Sequence, residues 1–227
     1  MQNAWATVKF LTFGGSADPL YAERVGRGAP YFIFVGLAFG VVLALCNRIL
    51  EPRLESEILG VVLVTVLIIL SRAAHLEQTR KIFEAGGPST PVTVYGFVAV
   101  MLLVLLKIRS VEVIGELRNV ALLLTPALAR WTVVIFLYRS TSVTDEVAWR
   151  IARNVKAWHL LSTTIVVLGI TIFLVGSRGL WMGLCLSLLA AIFRSFVHHF
   201  AKDFTCNHLG ALIEMSESLS FVLFASL

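Results

Sequence analysis

Between residues 71 and 87 the chain sets Arg72, Arg80 and Lys81, two carboxylates (Glu77 and Glu84) and His75 between two apolar runs long enough to enter a membrane. Carboxylates hold protons or cations and basic groups neutralise anions, so these side-chain types suit work on a charged substrate. Polar density this close to lipid needs a reason, because ionisable groups in membrane segments are costly and mark functional sites or ion pairs. A second such stretch, 202–217, carries Lys202, Asp203, Thr205, Asn207, His208, Glu214 and Glu217 into the last apolar run. Glu214 and Glu217 are three apart and share a helical face. Counted from Leu209, Glu217 lies about 12 Å along the helix. An unpaired carboxylate is not expected at that depth, so it should face the bundle interior; the alternative is a later helix start that leaves both glutamates in interfacial water. Arg130 is the only cation well inside a predicted span, and is either functional or held in a structural ion pair with Glu214 or Glu217. His198, His199, Cys206 and His208 do not have the paired spacings of a zinc site, and read as solvated or headgroup-facing groups.

The elements that must position these residues are membrane helices. Of the 227 residues, 58% are hydrophobic and only 15% charged, and the mean hydropathy is +0.86, more than a soluble domain of this length carries. A spanning helix needs roughly 20 predominantly apolar residues. Candidates lie at 30–46, 57–74, 92–108, 120–137, 160–175, 180–196 and 209–227. The fold class is therefore an all-α integral membrane protein, a polytopic bundle of about seven transmembrane helices. Six is the alternative, because the second run has a short apolar core, 58–70, that suits a re-entrant segment. The chain reads as a single membrane domain, 1–227, with an N-terminal cytoplasmic arm at 1–29, a motif-bearing cytoplasmic loop at 71–91 and a second motif loop at 197–210. Residues 1–13 lack the basic and apolar regions of a signal peptide, so the mature chain is expected to start at Met1.

Basic residues set the orientation, since cytoplasmic loops hold an excess of them. Lys9, Arg24, Arg27, Arg72, Arg80, Lys81, Arg139, Arg150, Arg153, Lys156, Arg194 and Lys202 fall on one side, against Arg48, Arg53, Lys107, Arg109, Arg118 and Arg178 on the other. This puts the N-terminus in the cytoplasm and every polar-rich segment on one face. The formal net charge of +5 fits this asymmetry and attraction to anionic lipids; no nucleic-acid partner is indicated, since no basic groove with interleaved aromatics appears. Cys46, Cys185 and Cys206 read as small apolar fillers. Gly36 with Gly40, and Gly179 with Gly183, place small residues four apart, which allows close helix packing within the chain or, as the alternative, in a homo-oligomer. Pro126 sits mid-span and is expected to disturb the fourth helix.

The order of these features resembles the cobalamin synthase family almost end to end. Phe10-Leu11-Thr12 and the run from Pro30-Tyr31 to Gly36-Leu37-Ala38-Phe39-Gly40 look like that family's opening segments. His75-Leu76-Glu77 stands where the family has His-Leu-Asp-Gly-Leu-Ala-Asp-x-x-Asp. Ala129-Arg130-Trp131 and Tyr138-Arg139 are similar to its Ser-Arg-Trp and Tyr-Ala-Arg elements. Thr205-Cys206-Asn207-His208-Leu209-Gly210-Ala211, continuing to Glu214 and Glu217, resembles Thr-Gly-Asp-x-Leu-Gly-Ala and its trailing glutamates.

The resemblance implies a phosphotransfer at the end of cobalamin assembly in a bacterial or archaeal cytoplasmic membrane. A ribazole hydroxyl attacks the phosphorus bonded to cobinamide in adenosylcobinamide-GDP, and GMP departs. The implied partners are the corrinoid nucleotide and α-ribazole or its 5'-phosphate; the implied cofactor is Mg²⁺, a hard cation suited to oxygen ligands. Carried over residue by residue, the catalytic group is His75, Glu77, Lys81 and Glu84, the substrate-binding group Arg130, Thr205, Asn207 and Glu217, and the metal-binding group Glu77, Glu84, Asn207 and Glu214. The chain departs from the pattern at these positions. The family's first, second and third aspartates become Glu77, Lys81 and Glu84, and that of the C-terminal motif becomes Asn207. On a helix, Lys81 falls on one face with Glu77 and Glu84, so its ammonium can sit where a metal would be held. The family's Asp-Ser-Arg-x-Gly stretch is also missing. Two readings stand: a divergent transferase, or a catalytically inactive relative acting as a membrane-embedded binding or accessory protein.

Overall fold

The polar stretch at 71–83 sits where a helix breaks. A computed structural model describes residues 2–13, 18–83, 94–142, 144–201 and 203–227. Among these, α4 (Ser56–Leu70) ends at Ser71 and α5 (Ala74–Phe83) leaves it at 87°. Arg72 and Ala73 take the left-handed region, φ 53° and 56°. The Ala73 N–H reaches back to the Ile68 carbonyl and the Arg72 N–H to that of Ile69, the pairing that closes a helix end and satisfies its orphan carbonyls. Polar residues follow at once, so the chain turns away instead of continuing through the apolar layer.

The other elements follow their apolar periodicity. Before this break come α1 (Gln2–Phe13), α2 (Pro19–Arg27), a short 3₁₀ turn and α3 (Phe32–Leu50). After it come α6 (Val94–Val113), α7 (Arg118–Leu137), α8 (Glu146–Arg153), α9 (Ala157–Val175), α10 (Ser177–Phe196), a π-helical turn at Val197–Ala201, and α11 (Cys206–Ala225). Six helical stretches are long and apolar enough to cross a membrane, and the bent α4–α5 pair makes a seventh if taken as one broken span. The protein is a polytopic helical membrane protein. The described residues of the 1–29 arm include α1 and α2, the 71–91 segment contains α5, and the 197–210 segment ends inside α11.

At the centre stands α7, buried along nearly its whole length. It packs on α3 where Gly36 and Gly40 let the two backbones meet: a Cβ on Gly40 would collide with the Leu123 carbonyl. Gly179 likewise lies against the Thr171 backbone. Both small-residue pairs serve packing within the chain. On its other sides α7 holds α9 through Trp131 Nε1 to Thr164 Oγ1 (3.0 Å), and α11 through the Thr132 and Ser216 hydroxyls (2.8 Å). Pro126 leaves the helix continuous, and its carbonyl accepts from Arg130 Nη1 at 3.1 Å.

Contacts also fix which ends lie together. At one end Arg118, where α7 begins, donates to Ser56 Oγ (2.7 Å) and the Glu112 carbonyl (3.1 Å). At the other, Arg194 donates to the Tyr138 and Arg139 carbonyls, both at 2.7 Å, and α2 lies on α8 with Arg150 bonded to Glu23 (3.2 Å). Since α4 begins at the first end and α6 descends again to it, the broken pair brings the chain back to the second. That second end gathers α1, α2, α5, α8 and the start of α11.

Candidate functional site

Helix α11 presents two adjacent faces, and they meet different surroundings. Asn207, Ala211 and Met215, four apart, line a cavity of ≈ 920 Å³; Gly210, Glu214 and Glu217 point into the bundle. The cavity's remaining wall comes from the end of α5 (Lys81, Ile82, Phe83), one face of α10 (Leu189, Ile192, Phe193, Phe196), and Thr144, Ala201, Asp203, Thr205 and His208. It is a chamber with an apolar wall and a polar rim.

The rim is held by a dense capping arrangement. Thr205 and His208 form a capping box at the start of α11, with the Thr205 N–H on His208 Nδ1 at 3.0 Å. Asp145 caps two helices at once, accepting from Ala148 N at 2.9 Å in α8 and Cys206 N at 3.0 Å in α11. Asp203 accepts from the Thr144 N–H and hydroxyl, from Ser142 and from the Phe204 N–H. These bonds fix Ser142, Thr144 and Asp145 against Asp203, Phe204 and Cys206, so the start of α11 is anchored to α8.

Behind the rim, in the bundle interior, lies a cluster of four charges. Lys107 Nζ sits 2.6 Å from Glu214 Oε2 and 2.7 Å from Glu217 Oε2, while Arg130 Nη1 bonds Glu217 Oε1. Their exposures are 1% for Lys107, 0% for Arg130, 3% for Glu214 and 2% for Glu217. Two cations balance two carboxylates, the condition for such groups to persist away from water. The Arg130 guanidinium also lies over the Phe39 ring, 5.0 Å from its centroid. His75 is buried nearby, where the charges of Arg130, Glu217 and Lys107 reach it. Its Nδ1 meets Gln78 Oε1 at 3.3 Å, and Gln78 packs on Gly210, where a Cβ would displace it. Among the described residues, His75 Nε2 and Arg130 Nε and Nη2 have no hydrogen-bond partner.

The residues singled out from the sequence thus fall into separate places. Lys81, Thr205 and Asn207 share the cavity. His75, Arg130, Glu214 and Glu217 share the buried cluster, so Arg130 and Glu217 do not line the cavity and are bonded to protein partners instead. Glu77 is exposed on α5; both its oxygens go to Arg80 at 2.7 and 2.8 Å, and Lys81 lies 3.6 Å away. Glu84 lies outside the described residues, as does Lys202. A single acidic pocket lined by residue 77 and the C-terminal glutamates does not form: α5 turns Glu77 outward while α11 turns the glutamates inward. Lys107, assigned by sequence to the far-side connection, is instead in the core, because α6 runs on to Val113. Its depth inside a longer helix was the one signal that could have placed it.

The proposed Mg²⁺ ligands can be tested on this donor set. Among the described residues no three of His, Cys, Asp and Glu lie together around one point. Glu214 is occupied by an ammonium and Glu77 by a guanidinium. Of the implied Mg²⁺ ligands, Glu77 and Glu214 are thus paired with protein cations in this arrangement, Asn207 lines the cavity, and Glu84 lies outside the described residues.

The sequence model of the family described as Cobalamin-5-phosphate synthase matches residues 92–225. An adenosylcobinamide-GDP ribazoletransferase of Syntrophobacter fumaroxidans is 27% identical over 223 residues, covering 90% of this chain and 88% of the relative. One of Geotalea daltonii is 28% identical over 124 residues, 49% of this chain and 50% of the relative. No solved structure matches. The matched stretch takes in α6 to α11, with Lys107, Arg130, the α10 and α11 parts of the cavity wall and both glutamates, and with more than half of its length inside that model the chain belongs to the cobalamin-5-phosphate synthase family.

Proposed function

We propose that this chain is a membrane transferase of cobalamin biosynthesis that joins adenosylcobinamide-GDP to α-ribazole or its 5'-phosphate. In that reaction a ribazole hydroxyl oxygen bonds to the phosphorus nearest cobinamide, the bond from that phosphorus to the GMP portion breaks, and GMP leaves while the hydroxyl proton passes to solvent. The observation that carries the reading is the cavity. Both motif-bearing stretches reach it, one through Lys81 and the other through Thr205, Asn207 and His208.

Its volume of ≈ 920 Å³ suits one nucleoside-sized portion of the substrates, with the corrin ring outside. The α10 wall of Leu189, Ile192 and Phe193 would take a flat apolar base. The Lys81 ammonium and the Asn207 amide, at the rim, would meet phosphate oxygens; positioning and charge neutralisation are what phosphoryl transfer asks of a protein. Glu77 acts through Lys81, holding it at the rim, and His75 through Gln78, which seats α5 on α11. The cavity end of the bundle faces the cytoplasm, where nucleotides are. The relatives' names lend no support to the catalytically inactive alternative.

The test is GMP release by membranes containing the chain, supplied with adenosylcobinamide-GDP and α-ribazole. The wild type is expected to release GMP with formation of the cobalamin product. Lys81→Ala and Asn207→Ala, exposed or half-buried positions that leave protein levels unchanged, should each slow it by about 10²-fold. Wild-type membranes that release no GMP, or rim variants with full activity, would overturn the reading.

A further inference from the structure

One of the four buried charges, Lys107, has no counterpart among the site residues singled out from the sequence. Lys107 comes from α6, 107 and 110 positions in sequence from its partners, and its ammonium stands between two carboxylates of α11 in the apolar interior. Glu214 and Glu217, three apart on one helical face, present a bite of hard oxygen donors, the kind that holds a divalent cation. Of the carboxylate oxygens, Arg130 engages Glu217 Oε1; Glu217 Oε2 and Glu214 Oε2 both turn to Lys107. A metal in the same place would need those two oxygens and would bring a second positive charge into a cluster already neutral.

We infer that Lys107 is the resident cation of the Glu214–Glu217 pair and occupies the position a divalent ion would otherwise take. The pair is thereby closed to metal. Its office is to tie α6 and α7 to α11, and so to hold Asn207, Ala211 and Met215 in the cavity wall as a positioning element. This inference concerns cation occupancy alone and stands apart from the proposed activity.

Mn²⁺, read by electron paramagnetic resonance, serves as the probe on detergent-purified full chain. In the wild type, Glu214→Gln is expected to leave the amount of bound Mn²⁺ unchanged. Lys107→Met should gain one further Mn²⁺ per chain, and Mn²⁺ should raise its thermal midpoint or, if it cannot be recovered in EDTA, its yield. The charge-balanced double variant Lys107→Met/Glu214→Gln should be recovered without Mn²⁺ and gain none. Loss of Mn²⁺ from the chain with Lys107 intact on Glu214→Gln would overturn the inference. So would a Lys107→Met protein that gains neither bound Mn²⁺ nor yield in its presence.

Discussion

Glu77 and Glu217 carry the same carboxylate into opposite surroundings, and their substitutions should separate accordingly. Glu77 faces solvent between Arg80 and Lys81; such exposed pairs contribute about 0–1 kcal/mol, and Glu77→Gln should change unfolding stability by no more than that. Glu217 is buried between Arg130 and Lys107. Glu217→Ala strips a partner from both, and breaking a buried pair in this way costs about 3–5 kcal/mol. Denaturant unfolding in mixed micelles measures both, and equal losses would show the cluster to be solvated. At this scale the sequence was informative where depth alone decided the matter. A carboxylate about 12 Å into a helix has to face inward, and Arg130 is indeed paired with Glu217. It was uninformative where partners came from distant helices: Lys107 lay near a span boundary predicted at 108, and only the packing of α6 on α11 revealed its partners.

Between elements, backbone approach decides the arrangement. Helices α3 and α7 meet so closely at Gly40 that even a methyl group would strike the Leu123 backbone, whereas Gly169 on α9 has nothing within 4 Å. Gly40→Ala should therefore destabilise the protein by about 1–3 kcal/mol, the usual cost of forcing atoms into a packed contact. Gly169→Ala should be neutral or slightly stabilising, since alanine is the better helix former. Thermal midpoints of the two purified variants check this, and similar shifts would contradict the close contact. The glycine spacing made the packing legible, and the crowd of polar residues after 70 made the break between α4 and α5 legible as a doubtful span. Less visible was α8, whose buried Ala148, Ile151 and Ala152 follow a helical spacing too short to stand out. Its role in anchoring α11 through Asp145 depends on a bond between segments 61 positions apart, which no local pattern encodes.

Taken as a whole, the molecule gathers its short helices and most of its basic side chains at one end. Lys9, Arg24, Arg27, Arg80, Lys81, Arg150, Arg153 and Lys156 lie on α1, α2, α5, α8 or the start of α9, while Arg48, Arg53, Arg109, Arg118 and Arg178 lie at the opposite end. Moving Lys107 into the core sharpens the contrast, because it removes a cation from the sparse side. An excess of basic residues marks the cytoplasmic face, and the cavity opens among Lys81, Thr144 and Asp203 at that same end. Under the proposed function, charge and site argue for one orientation: a cavity that consumed a nucleotide would, on the outside, be cut off from its substrate. In a background with Cys46, Cys185 and Cys206 replaced, a cysteine at the exposed Arg53 position should react with a membrane-impermeant maleimide in intact cells. One at the exposed Arg153 position should react only after permeabilisation. The reverse pattern would invert the bundle, leave the basic face outside, and remove the route by which a cytoplasmic nucleotide reaches Lys81 and Asn207.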